Sequence, residues 1–277
     1  MNEPLLLGLD HGKHRVRCPE CGRGDKDKTL GVLVESDRTV FHCFRCEHAG
    51  AVRAERNNYT RPGVKPAHIE TPRQHITLAS HWLDVWRSLG SVSGTAAKYL
   101  EARGCPIPPV DGDLRCTESL RHPSGYTGPA LVALVTDAIT REPLTLHRTW
   151  IRPDGSKAGI DSPRLLLGKH RKQGGVIRLW SDSSVTTGLA VCEGIETALT
   201  IATVFRPVWS CIDAGNMAAF PVLDGIESLL ICADNDVAGI RAAEQCAERW
   251  YRAGREVRIA KSPVPGEDVN DYARRAA

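Results

Sequence analysis

Two groups of side chains in this 277-residue sequence have types and spacings suited to chemistry. The first is a pair of C-x2-C motifs, Cys18-Pro19-Glu20-Cys21 and Cys43-Phe44-Arg45-Cys46. Each lets two thiolates grip one ion from a tight turn, and a hairpin joining the turns completes a tetrahedron. Strand-like stretches at 30–34 and 39–42 lie between them, so the spacing predicts a structural zinc site. A closed four-sulfur site keeps no open position, so its ion organises the chain and does not react. A redox dithiol would instead need one C-x-x-C beside a β-α-β unit. His42 and His48 are spare by ligand count. Nearby stand Lys13, His14, Arg15, Arg17, Arg23, Lys26, Lys28 and Arg45, with Phe41 and Phe44. Cations interleaved with aromatics suit phosphate contact and base stacking, and they equally suit keeping a small ribbon soluble.

The second group is acidic. Glu193-Gly194 follows the apolar run 188–192, and Asp234-Asn235-Asp236 follows 228–233. A third cluster, Glu267-Asp268-Val269-Asn270-Asp271, follows 256–260. In an open parallel sheet the carboxyl ends of the strands are where ligands bind. Carboxylates converging there repel one another unless cations sit between them, and hard ions such as Mg²⁺ or Mn²⁺ suit that donor set. Singly, each acid would also serve as a helix cap.

Alternating elements supply those strand ends. Apolar runs at 188–192, 208–212, 228–233 and 256–260 alternate with helical patterns at 195–204 and 238–253 and a short helix near Asp271. This rhythm predicts a parallel α/β sheet. Upstream, helices are expected at 78–89 and 95–103, and strands at 131–136, 144–151 and 176–180. Trp82, Val85, Trp86 and Leu89 form a stripe read as core. Cys192 and Cys232 fall inside strands and are expected to be buried small hydrophobes. The polar, proline-bearing stretch 57–77 reads as a linker. The expected organisation is thus a zinc-bearing β domain at 1–56, a basic α+β subdomain at 78–180 and an α/β domain at 181–277. Charge follows this division: 126–180 holds nine basic and four acidic residues, 181–277 nine and fourteen. Such asymmetry suits a basic track for a polyanion leading to an acidic, metal-binding end, or two solvated faces. No apolar run nears the roughly 18 residues of a membrane span, and residues 1–10 lack the basic start of a signal peptide. A cytoplasmic protein without membrane contact is expected.

Glu193-Gly194, Asp234-x-Asp236 and the 268–271 cluster resemble the motifs of the Toprim fold of topoisomerases and primases. Residues 233–239 (A-D-N-D-V-A-G) are similar to the variant in primases of phages and mobile elements, and the four-cysteine ribbon resembles their zinc-binding domain. The segments 96–104 (A-A-K-Y-L-E-A-R-G) and His147-Arg148-Thr149-Trp150 through Pro163-Arg164 also look like that family. No Walker A motif occurs, since Gly168-Lys169 is followed by His170, so the helicase half of fused primase–helicases is missing.

The resemblance implies synthesis of short RNA primers on single-stranded DNA from ribonucleoside triphosphates, by two-metal nucleotidyl transfer, with a separately encoded helicase as partner. It implies that Asp234 and Asp236 hold Mg²⁺ or Mn²⁺, that Glu193 completes the metal site or assists proton transfer, and that Asp271, with Asp268, is an outer ligand. It casts Arg148, Arg164, Lys169, Arg171, Lys172 and Arg178 as phosphate partners. Asp213 and Asn216, in a loop whose Gly215-Asn216 resembles a family turn, become peripheral site candidates, although a plain turn explains them equally. Two other classes stay open. One is a Toprim nuclease using the same metals; a strand-passing topoisomerase would also need a tyrosine nucleophile, and Tyr59, Tyr99, Tyr126, Tyr251 and Tyr272 show no such context. The other is a non-catalytic accessory that binds single-stranded DNA, with the acids acting only as caps.

Overall fold

The structure, a computed structural model, describes residues 9–22, 27–35, 38–53 and 77–276. The linker expected at 57–77 lies outside them except for Thr77, as do Arg23, Lys26 and Tyr59. The chain divides into two compact units, Met1–Arg73 and Gln74–Ala277.

In the first unit, β1 (Gly12–Val16), β2 (Leu30–Val34), β3 (Arg38–Cys43) and β4 (Ala49–Arg53) form an antiparallel sheet in sequence order. The apolar runs made β2 and β3 legible. The outer strands GKHRV and AGAVR are too polar or too small to announce themselves. Leu30 and Val32 are buried together with Cys18 and Cys43, and Leu9, Val16, Val34 and Phe41 pack against them. So small an apolar core leaves this unit dependent on a cross-link at the sulfurs.

The second unit is built on one nine-stranded sheet. Its parallel part, in spatial order, is β13 (Glu256–Lys261), β12 (Ser228–Ala233), β10 (Gly188–Cys192) and β11 (Val208–Ser210). β9 (Gly175–Arg178) runs antiparallel to β11 on one side and to β6 (Thr127–Asp137) on the other. Antiparallel β7 (Pro143–Trp150) and β8 (Arg164–Leu166) follow, and β5 (Leu114–Arg121) pairs with β6. Strands from both sides of residue 181 therefore share one sheet. The sequence pattern missed β5, whose outer half is charged, and β8, only three residues long.

Helices cover both faces of the parallel part, as its apolar strands require. Alternate residues of β10 face opposite ways. Ala190 and Cys192 join a core with Tyr99, Leu100, Ala198 and Leu199 from α2 (Gly94–Ala102) and α3 (Ile195–Ile201). Leu189 and Val191 join Met217, Phe220, Ala243 and Trp250 from α4 (Ala214–Ala219) and α5 (Val237–Arg252). α6 (Val269–Ala276) closes the chain, and α1 (Ser80–Ser88) precedes the sheet. On α1 the expected stripe needs correcting. Trp86 is buried with Trp82, Leu83 and Leu89 beside it, but Val85 is exposed. The buried face turns toward Leu83 because Val132, Leu134 and Leu146 of the sheet lie there. Cys192 and Cys232 are fully buried, side by side on neighbouring strands.

Candidate metal centres and their basic surroundings

The four cysteines of the ribbon converge. Their sulfur atoms all lie within 4.8 Å of one another, with Cys21 and Cys43 3.5 Å apart and Cys18 and Cys46 3.7 Å apart. Ligands at about 2.3 Å on tetrahedral corners sit roughly 3.8 Å apart, so the cage has the size a Zn²⁺ ion requires. Its walls are two knuckle turns. In one, Gly22 N–H donates to the Cys18 carbonyl, and a Cβ on Gly22 would meet that oxygen at 2.4 Å, so only glycine fits. In the other, Arg45 N–H donates to Cys43 Sγ at 3.4 Å. The Arg45 guanidinium pairs with Asp27 at 2.6 Å and donates to the Cys21 carbonyl at 3.0 Å, tying the knuckles together.

Beside this cage lies a shallow groove lined by Lys13, His14, Arg15, Phe41, His42 and Phe44. Phe44 is 59% exposed, with the Arg15 guanidinium 4.1 Å from its ring centre and His42 edge-on at 5.1 Å. His42 is thus part of the groove.

The acidic clusters lie at the carboxyl ends of adjacent parallel strands, Glu193 after β10, Asp234 after β12 and residues 267–271 after β13, although among the described residues only the four cysteines bring three or more ligand atoms within 4.8 Å of one another. Backbone and amide bonds hold the last two together. Asn235 N–H donates to the Glu267 carbonyl, Gly266 N–H to the Asn235 carbonyl, and the buried Asn235 side chain to the Ser262 carbonyl at 2.9 Å. Two buried carboxylate oxygens here, Glu193 Oε1 and Asp234 Oδ1, have no hydrogen-bond partner. Burial, and then the charges of Asp234, Asp236 and Asp213, push the Glu193 carboxyl up to about 8. Burial with Asp268 and Asp236 pushes Asp234 up to about 6. Buried oxygens without donors, crowded by like charge, fit a hard divalent cation. Gly239 keeps the space open, because a Cβ there would stand 2.8 Å from Glu193 Oε1 and 2.5 Å from the Asp234 carbonyl oxygen.

The other acids differ. Asp236 caps α5, accepting the Gly239 N–H at 2.8 Å, and Asp268 accepts the Asp271 N–H at 2.8 Å at the start of α6. Asp271 is exposed. Asp213 caps α4 through the Asn216 N–H and pairs with Lys172 at 2.6 Å.

The expected phosphate partners separate into two sets. Arg164 and Lys172 belong to the acidic end: the Arg164 charge acts on Asp234, and Lys172 is paired to Asp213, whose charge acts on Glu193. Lys169 is exposed on the loop between β8 and β9, at a positive φ of 65°. Arg148 lies over Trp150 and donates to the Leu166 carbonyl, and Arg171 pairs with Asp137 at 2.8 Å. Arg178 and Asn216 need correcting. Arg178 is 6% exposed; its guanidinium meets Asp182 at 2.9 Å, the Thr136 hydroxyl, and the Asp137 and Ala138 carbonyls. It braces β9 against β6 and has no face to offer a phosphate. Asn216 is likewise buried, donating to the Lys172 and Gly175 carbonyls and accepting the Gly174 N–H. It holds the Lys172 loop from inside, only 6% exposed.

Glu196 and Lys157 of this region escaped the sequence reading, and Tyr99 entered it only as a tyrosine without a nucleophile's context. Glu196 is buried one turn beyond Glu193, Tyr99 donates to it at 2.7 Å, and Arg164 lies 3.3 Å from it. Burial opposes its ionisation, but Arg164, Lys157 and the Tyr99 hydroxyl hold its carboxyl down to about 2. Lys157 stands in the fields of Arg164, Glu196 and Asp268. The available signal was a charged residue in the otherwise uncharged, fully buried helix I-E-T-A-L-T-I, a cost that demands partners.

Arg178→Ala is expected to lower the stability of the second unit by about 3 kcal/mol, since it strips a buried network. Urea unfolding measures this. Arg178→Lys restores little, because one ammonium cannot reach all four acceptors.

Residues 188–277 match the family model of the Toprim domain, and the C-terminal part of the chain is a Toprim domain. Residues 77–179 match a family model described as a domain of unknown function. No curated protein matches the chain. Among solved structures it matches a DNA primase domain from Pseudomonas aeruginosa at 15% identity, over 66% of this chain and 68% of that one, with a TM-score of 0.42. It also matches the DnaG catalytic core at 14% identity, over 71% and 74% of the two chains, with a TM-score of 0.46. At this distance the functional reading rests on the site itself. No helix among the described residues is long and apolar enough to cross a membrane.

Proposed function

We propose that this chain is a DNA primase that builds short RNA primers on single-stranded DNA from ribonucleoside triphosphates. The observation that carries the reading is the pair of buried, partnerless oxygens, Glu193 Oε1 and Asp234 Oδ1, at neighbouring strand ends beside anchored cations. Glu193 and Asp234, with the free oxygen of Asp236 and with Asp271 outermost, would hold two Mg²⁺ or Mn²⁺ ions. Bound there, the ions would activate the primer hydroxyl and neutralise the leaving pyrophosphate. Arg164, Lys157 and Lys172 bind and orient the triphosphate and the template backbone through charge. The ribbon, with zinc in its four-sulfur cage, presents Phe44 and Arg15 to the template. The likeness of 233–239 to the phage and mobile-element variant supports replication of such an element, with the helicase on a separate chain.

The test is incubation with single-stranded templates, labelled nucleotides and Mg²⁺ or Mn²⁺, resolved on a denaturing gel. Short, template-dependent products are expected. Cleavage of the template with no incorporation would make the chain a nuclease built on the same carboxylates. Neither activity, with single-strand binding intact, would make it a replication accessory.

Phe44→Ala is expected to weaken single-strand binding by roughly tenfold, the scale of one lost base–aromatic stack. Arg15→Ala should reduce the slope of log affinity against log salt by nearly one. Fluorescence anisotropy across a salt series measures both.

A further inference from the structure

Tyr99, Glu196 and Arg164 come from three separate elements, α2, α3 and β8, and meet in one hydrogen-bonded chain. Tyr99 is completely buried and Glu196 is 6% exposed, whereas the Arg164 side chain is 40% exposed. The chain therefore runs from the core outward and ends on a cation that faces solvent. Its interior end is expensive: an ionised carboxylate and a phenol hydroxyl lie in the same apolar core as Leu100, Ala198 and Leu199. The phenol is satisfied by the carboxylate, and the carboxylate by the phenol, the nearby cations and its own backbone N–H.

What the arrangement does is fix the direction of one guanidinium. Arg164 sits on a three-residue edge strand, where a long side chain would otherwise sample many rotamers. Both Glu196 oxygens lie within hydrogen-bond reach of Arg164 Nη2, at 3.3 and 3.4 Å, and the Tyr99 hydroxyl donates to Oε1 at 2.7 Å. The carboxylate's rotation is thereby set from the core side. Only Nη2 of the Arg164 fork is engaged by Glu196, and the charge of the guanidinium acts on the Asp234 carboxylate.

We infer that Tyr99 and Glu196 are positioning residues that pre-orient Arg164 for a metal-bound nucleoside triphosphate. The inference rests on the nucleotide-polymerising reading for its substrate class and deepens it. A positioned fork loses less freedom on grasping a phosphate than a loose one does. The benefit reaches the triphosphate only through Arg164, so Tyr99 and Glu196 should matter when Arg164 is present and not otherwise.

The experiment is a double-mutant cycle on the full chain, read by calorimetric binding of ATP with Mg²⁺ and by the KM and kcat of nucleotide incorporation. Tyr99→Phe keeps shape and charge and should raise the Kd and KM for the triphosphate about fivefold, with kcat changed less. In an Arg164→Ala background the same change should be silent. Glu196→Gln serves as the second probe, with the same silence expected beside Arg164→Ala. Thermal unfolding of each variant reports any purely structural effect, which would be the same in both backgrounds. Equal effects on Kd with and without Arg164, or no effect at all, overturn the relay. So does failure of the wild type to bind ATP with Mg²⁺. Coupled effects on Kd in a protein that incorporates no nucleotides leave the relay standing and remove the primase reading. Uncoupled effects in a protein that does incorporate them remove the relay alone.

Discussion

Asp234→Asn is expected to reduce metal-dependent nucleotide incorporation at least about a hundredfold while leaving the second unit folded. The amide keeps the volume of the carboxyl but loses the charge that holds a cation. The partnerless Oδ1 and the pressure of Asp268 and Asp236 on this group mark it as a residue kept at a cost to stability. The variant should therefore melt at or above the wild-type temperature in EDTA, even as activity disappears. Wild-type protein should gain stability on adding Mg²⁺ or Mn²⁺, and the variant should gain much less. Full incorporation by Asp234→Asn would refute the assignment. Asp236 makes a sharper comparison, because it already caps α5. Asparagine caps nearly as well as aspartate. Activity lost in Asp236→Asn without loss of stability would assign it to the metal, and unchanged activity would leave it a cap alone.

Cys43→Ser is expected to remove one zinc per chain and to unfold the ribbon while the nine-stranded sheet persists. Structural zinc in small modules contributes on the order of 10 kcal/mol of apparent folding free energy, far more than the few buried residues around Leu30 and Val32 supply. Elemental analysis gives the metal count. Amide exchange should show protection lost across β2 and β3 and retained across β10 and β12. Templated initiation should fall further than extension of a supplied primer, because only initiation needs the ribbon's grip on the template. Equal loss of both would reduce the ribbon to a structural appendage, and a zinc-free wild-type chain with an ordered ribbon would overturn the site.

Much of this was legible before any coordinates. The cysteine pairs needed only spacing. The apolar runs of β10 and β12 are strong enough that their ends, and hence Glu193 and Asp234, could be placed without knowing the strand order. Other features depend on tertiary context. Strand β8 is three residues long, and α4 is a single capped turn and a half, so neither has a pattern to read. Arg178 and Arg164 look alike in sequence. One is swallowed by the sheet, and the other is held at its rim by an acid on a different helix. Glu196 was passed over because one charge in a buried helix gives no hint of which partners will reach it.

Strand β9 touches β11 and β6 through only two residue pairs on each side, with Arg178 wedged across the join. That narrow keystone joins everything from β8 to β13 into one sheet, so the basic strands and the carboxylate-bearing strands share a single framework. If the chain polymerises nucleotides as proposed, the nucleic acid would move across a floor held in one sheet. Each new grip would then fall to exposed side chains such as Lys169, and fidelity of placement to those, such as Arg164 and Lys172, that acids hold in place.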